Sequence, residues 1–193
     1  LQRSLRELGM PDARFRVEFE ERSALAMPDL PGLPGVDERP VFLFSANAGE
    51  SLRPIHKAAS GGELSRLFLA LSNGLRREAR GSVLVFDEVD AGVGGKVAAK
   101  VGALMERLSQ TFQVICVTHL PQIAAYGDNH FTVSKVTRAG RMVTRIQSLA
   151  EEGRVEELAK LMTGEDSESA RAGAREMLVA STQRKAKAKG ESQ

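Results

Sequence analysis

Four apolar residues followed at once by two acids, Val83-Leu84-Val85-Phe86-Asp87-Glu88, constrain this chain more than any other stretch. An unbroken apolar run of this length suits a strand buried on both faces of a sheet. The two carboxylates then stand where that strand leaves the core. A carboxylate there can hold a hard cation through oxygen or water ligands. The next one can hold or deprotonate a water. Taken alone, the pair also fits two solvated loop acids. Its company decides the reading: Ala59-Ser60-Gly61-Gly62-Glu63-Leu64-Ser65 lies upstream and Cys116-Val117-Thr118-His119 downstream.

A chain of 193 residues fits one domain with appendages, and 42% hydrophobic content supplies a core. Aromatics are 5% and Trp is absent, so aliphatic side chains must fill that core. Lys plus Arg is 27 against 25 acids, a formal +2 that does not by itself imply nucleic acid. One cysteine, Cys116, excludes an internal disulfide framework, and its apolar surroundings predict a buried, inert thiol. No early apolar segment resembles a signal peptide and none is long enough to span a membrane, which makes a cytoplasmic protein the expectation.

Along the chain, Leu1, Leu5 and Leu8 share a helical face that Gly9 and Pro11 terminate, so residues 1–9 read as the end of a helix arriving from elsewhere. Phe15, Val17 and Phe19 alternate with charged residues, a half-buried antiparallel strand. The proline-rich stretch Pro28 to Pro40 predicts an irregular loop, Val41–Phe44 a second strand, and Asn47 to Ala59 another loop. Ser60 and Glu63 form a capping box for a helix whose apolar face is Leu64, Leu67, Phe68, Leu71 and Leu75. The strand at Val83–Phe86 leads through a Gly-rich turn, Asp90 to Gly95, into a helix facing the core with Val97, Val101, Leu104, Met105 and Leu108. Phe112–Thr118 is a further strand, followed by a short helix opened by Pro121. Strand, helix, strand implies parallel pairing with a right-handed crossover. Phe131–Val136 and Met142–Ser148 flank a hairpin turn. Helices at Val155–Met162 and Ala170–Ala180 follow, with Gly164 ending the first and Ser167 capping the second. The basic run Arg184 to Lys189 predicts a disordered tail over 183–193.

Ser60-Gly61-Gly62-Glu63 opens a helix, where glycines permit close backbone approach and free N–H groups favour an anion. A flexible turn with an ordinary cap accounts for the same residues equally well. His119 ends its strand in line with Glu88 if the two strands are neighbours, and ligands bind beyond the carboxyl ends of such strands. A satisfied structural histidine is the alternative for it. His56 and His130 carry no such context. Gly94-Gly95-Lys96 fails as a Walker A phosphate loop: Val97 follows the lysine and Asp90 holds the earlier glycine position. A Walker B run without a Walker A remains.

That combination resembles one half of an ABC-type ATPase head. The chain is similar to the SMC class, whose half-heads are separated by a long coiled coil, and within it to the RecN family of bacterial DNA repair proteins. The residues that carry the resemblance are Phe42 to Glu50, Ala59 to Arg66, Phe86 to Gly95 and Val117 to Ala124. The resemblance implies an α/β fold: an ABC-type ATPase head lobe with a mostly parallel sheet flanked by helices, antiparallel strands at the start and a hairpin near the end. It implies that residues 1–9 end a coiled-coil helix and that 10–182 form the C-terminal half of the head.

The same resemblance implies roles. Ser60, Gly61 and Gly62, with Glu63, would be the signature motif facing ATP on an opposing head. Asp87 would reach Mg²⁺, and Glu88 would activate the attacking water. Asp90, Ala91 and Gly92 would be the D-loop at a dimer interface, and His119 the switch histidine at the γ-phosphate. The implied partners are the N-terminal half of the same head, a second head in an ATP-dependent homodimer, and DNA, with no membrane. The implied function is repair of double-strand breaks and recombination, at the nucleoid. The signature opens with Ala59 where many ABC proteins have Leu. A transporter ATPase fits less well, since its Walker A shares the chain with its signature. A non-catalytic DNA tether fits less well because it has no need of Glu88.

Overall fold

The computed structural model describes residues 1–21, 38–74, 82–138 and 140–190. A short helix α1 (Gln2–Glu7) leads into antiparallel strands β1 (Arg14–Glu21) and β2 (Glu38–Ser45), and β2 also pairs with the two-residue β3 (Arg53–Pro54). Helix α2 (Ile55–Ala58) and the long α3 (Gly61–Gly74) follow. Strands β4 (Val83–Phe86) and β5 (Gln113–Cys116) are parallel neighbours, joined by α4 (Gly95–Ser109). After α5 (Pro121–Ala124), strands β6 (Phe131–Arg138) and β7 (Arg141–Ser148) form an antiparallel hairpin. Helices α6 (Glu151–Thr163) and α7 (Glu168–Gly190) end the described chain. Among the described residues the parallel part is the β4–β5 pair, while the antiparallel strands at the start and the hairpin near the end are separate sheets.

Two apolar clusters hold these elements. The larger joins Leu5 and Leu8 of α1, Phe44 of β2, Leu67 and Leu69 of α3, Phe86 of β4 and Val101 and Leu108 of α4. Each fully buried leucine there stabilises the fold by about 1.5–3 kcal/mol. The smaller packs Val155, Leu158 and Ala159 of α6 against Ala170 and Ala174 of α7. Gly164 ends α6 in the left-handed region at φ 82, the conformation its missing Cβ permits, and its N–H bonds the Lys160 carbonyl. The Ser167 hydroxyl accepts the Ala170 N–H and so caps α7.

Several expectations change. The Val83–Phe86 strand is not buried on both faces: Phe86 is buried, but Val83 and Val85 are 52% and 59% exposed. Among the described residues, helices cover one side of the β4–β5 pair, and Val83, Val85, Ile115 and Val117 form an open apolar face on the other. Helix α3 is rolled relative to its predicted face. Leu64 and Phe68 are exposed while Leu69 and Arg66 are buried, because Arg66 reaches into the loop after β4. Leu75 lies outside the described residues. Strand β2 begins at Glu38 and contains Pro40. Proline is tolerated there because β3 pairs only with Leu43 and Phe44, leaving β2 an edge at Pro40. The rest of the proline-rich stretch lies outside the described residues, and β3 and α2 interrupt the loop expected from Asn47 to Ala59.

The basic tail is also different. Helix α7 runs on to Gly190 instead of dissolving at residue 183. Ala, Lys, Arg and Gln are good helix formers, and the Arg184 guanidinium donates to the Tyr126 hydroxyl at 2.8 Å. Residues 191–193 lie outside the described chain.

Candidate functional site

The turn after β4 is the organising feature. Glu88 has φ 55, in the left-handed region that a side chain with a Cβ rarely occupies. Such a residue costs of order 1–3 kcal/mol and persists only where its surroundings fix it. Here they do. The Glu88 N–H donates to Asp87 Oδ1 at 2.9 Å, and the Ser65 hydroxyl on α3 donates to the Asp87 carbonyl at 2.6 Å. Arg66 Nη1 donates to the Ala91 carbonyl at 2.7 Å and to that of Val89 at 3.4 Å. Burial lowers the pKa of Arg66, and the nearby Glu63 carboxylate opposes that shift.

The glycines at the start of α3 are needed for the same packing. A Cβ on Gly62 would come within 2.8 Å of the Ala91 Cβ and 3.0 Å of the Glu88 carbonyl. A Cβ on Gly61 would overlap the Glu88 carboxylate, so the acid lies directly against the helix start. The capping box is formed: the Ser60 N–H donates to Glu63 Oε2 at 2.8 Å and the Glu63 N–H to Ser60 Oγ at 3.4 Å. The first intrahelical bond runs from Leu64 N–H to the Ser60 carbonyl. The N–H groups of Gly61 and Gly62 precede it, in the orphan positions that suit an anion.

Asp90 ties this turn to the next loop. Its carboxylate, 4% exposed, accepts the Thr118 hydroxyl at 2.6 Å and the His119 N–H at 2.9 Å. His119 Nδ1 lies 3.1 Å from the same oxygen. Burial alone would raise the Asp90 pKa. The hydrogen bonds from Thr118 and His119 and the histidine's charge outweigh it and hold the carboxylate below the usual Asp value. With Nδ1 turned to Asp90, the other ring nitrogen of the largely exposed His119 is free to meet a ligand. Phe86 and Cys116 are partners in the parallel ladder, so Glu88 and His119 leave adjacent strands at the same end of the pair.

No family model matches the chain. It is 42% identical over 181 residues to the DNA repair protein RecN of Vibrio cholerae, covering 93% of the chain and 32% of that protein. Against the DNA repair protein RecN of Deinococcus radiodurans the identity is 46% over 175 residues, 91% of the chain and 29% of the relative. The chain is RecN-like. It spans about a third of the length of the curated relatives it matches. Among solved structures it resembles the Smc head domain with a coiled coil and joint from Pyrococcus yayanosii, with 24% identity and a TM-score of 0.54. That match covers 84% of the chain and 28% of the structure. A second Smc head domain, from Pyrococcus furiosus, gives 22% identity and a TM-score of 0.50 over 84% of the chain and 36% of that structure. The RecN-like chain therefore has the fold of part of an Smc head domain.

Within the RecN-like fold, Gly61, Gly62, Glu88, Asp90 and His119 are brought together at one end of β4 and β5. Two of the site carboxylates are engaged within the chain. Asp90 faces inward, where its carboxylate is spent on Thr118 and His119; Gly92 (φ 70) and Ala91 carry the exposed side of that turn. The Glu63 carboxylate is committed to the cap. Among the described residues no group of three or more potential metal ligands forms. Cys116 is partly buried, and desolvation, helped by Asp90 and Asp87, pushes its thiol up to about 12, as an inert side chain requires. Ser65, Arg66 and Thr118 fall inside the motif runs, but their partners lie more than twenty residues away, so their structural roles carry no local signal. Among the described residues, no helix is long and apolar enough to cross a membrane.

Proposed function

We propose that the chain is the C-terminal lobe of an SMC-like ATPase head acting in DNA double-strand break repair. In this reading ATP binding joins two heads and hydrolysis releases them, in the cytoplasm at the nucleoid. The observation that carries it is that Glu88 and His119 follow paired parallel strands at the same end, with Asp90 of the first loop bonded to Thr118 and His119 of the second.

The residues fit the groups they would hold. Asp87 turns one carboxylate oxygen to the Glu88 N–H, leaving the other for magnesium, directly or through water. Magnesium keeps several waters and takes one or two carboxylates plus phosphate oxygens, so a lone aspartate suffices on the protein side. When bound, the ion neutralises charge on the phosphates. Glu88, held at the end of a constrained turn, orients and deprotonates a water. His119, oriented by Asp90 at Nδ1, would donate the N–H of its other ring nitrogen to a phosphate oxygen. Ser60 and the N–H groups of Gly61 and Gly62 present an anion site to the nucleotide of the opposing head. Glu63 shapes that site through the cap, and Gly92 with Ala91 forms the D-loop surface at the head–head interface.

The open apolar faces support a partner within the same protein. Val83, Val85, Ile115 and Val117, with Leu64 and Phe68 of α3, leave aliphatic and aromatic surface uncovered. The N-terminal half of the head, bearing the Walker A loop absent here, is the partner that would cover it. In the complete protein Glu88→Gln keeps the side-chain shape and loses the base. ATP-bound head dimers should accumulate and turnover should fall about 10²–10⁴-fold. Near-normal phosphate release by this variant would put the base elsewhere.

A further inference from the structure

The hairpin formed by β6 and β7 differs from the rest of the surface. Residues 131–148 hold four cations, Lys135, Arg138, Arg141 and Arg145, and no acid. Every strand residue except Thr132 is exposed. The antiparallel register sorts its side chains into two faces. Phe131, Val133, Met142 and Ile146 lie on one together with Lys135, and Arg138, Arg141 and Arg145 on the other with the Val136–Val143 pair. An apolar face of this kind calls for protein cover. The arginine face cannot be met by an apolar core, because each guanidinium would have to be desolvated without a partner.

The arginines are also placed against the hairpin's own interest. Arg138 and Arg141 are direct cross-strand partners at the closing end, and like charges directly opposite destabilise a hairpin. Among the described residues none of Arg138, Arg141 and Arg145 pairs with a carboxylate. Arg141 and Arg145 are four residues apart on one strand, roughly 14 Å at about 3.4 Å per residue. The charges thus extend along a ribbon, matching a repeating array of phosphates better than a single compact anion. A two-stranded ribbon is also narrow enough to follow a DNA groove.

We propose that the arginine face of the β6–β7 hairpin contacts the phosphate backbone of DNA. This rests on the reading of the chain as part of a DNA-acting ATPase head. The contact positions the head on DNA without reading sequence, as phosphate contacts do.

The test is fluorescence anisotropy of the full-length protein with random-sequence duplex DNA over a salt series. Arg138→Gln/Arg141→Gln/Arg145→Gln should weaken binding at low salt and flatten the log–log salt slope by up to about 2.7, at about 0.9 per lost contact. The single variant Arg145→Gln should show about a third of that change. ATP turnover without DNA should stay at the wild-type level for both. Unchanged affinity and slope in variants that still bind DNA would overturn the hairpin's role and leave the ATPase reading intact. Loss confined to one DNA sequence would also overturn it. A wild-type protein that hydrolyses ATP and binds no DNA would remove both the hairpin's role and the DNA-acting part of the reading.

Discussion

The β4–β5 pair and the β6–β7 hairpin are both two-stranded, and both leave a face uncovered. What they expose differs. One side of β4–β5 is packed on the core through Phe86, and the other offers Val85 and Ile115 to solvent. The hairpin offers one apolar face and one face of arginines. An uncovered aliphatic face implies more polypeptide, since water is its costliest neighbour. An uncovered, unpaired arginine face implies an anion. The same deficiency, a missing layer, thus points to different occupants according to the side chains left in view.

That contrast can be broken by mutation. Val85→Lys should leave the stability of the 193-residue chain within about 0.5 kcal/mol, as an exposed substitution does. In the complete protein the same lysine would be an unpaired charge in a closed interface, costing about 3–5 kcal/mol. Comparing the two by denaturant titration measures the cover directly; equal effects would mean that the face stays open.

A smaller effect is expected inside the site. Asp90→Asn removes the charge from three interactions with Thr118 and His119, and hydrogen bonds to charged groups contribute about 1.5–3 kcal/mol. Because the folded-state pKa of Asp90 lies below its unfolded value, its contribution is present above the unfolded pKa of about 3.9. It is lost as pH falls through the folded value. Wild type and Asp90→Asn should therefore differ in thermal stability at neutral pH and converge in strong acid. A difference that persists into strong acid would assign the effect to packing.

Much of this organisation is legible in the sequence because it is local. The capping box of Ser60 and Glu63, the Gly164 helix end and the strand–helix–strand unit each depend on residues a few positions apart. The proposed site residues are nameable because their motif runs are contiguous. What escaped depends on distant partners. Arg66 is buried because two carbonyls more than twenty residues away accept its guanidinium, and this rolls α3 until Phe68, still against the Phe86 ring, is half exposed. Asp90 turns inward for Thr118, 28 residues on. The tail is helical where a charge run suggested disorder. Its helix formers continue α7, and Arg184 is anchored 58 residues away at Tyr126.

The central claim is that these 193 residues hold the acid and the switch of an ATPase head but not its phosphate loop. Magnesium-dependent ATP turnover measures it most directly, with the chain alone and then mixed with the remaining portion of the full-length protein. The account predicts no hydrolysis by the chain alone and turnover on mixing that disappears with Glu88→Gln. Hydrolysis by the isolated chain, or turnover on mixing that survives the loss of Glu88, would contradict it.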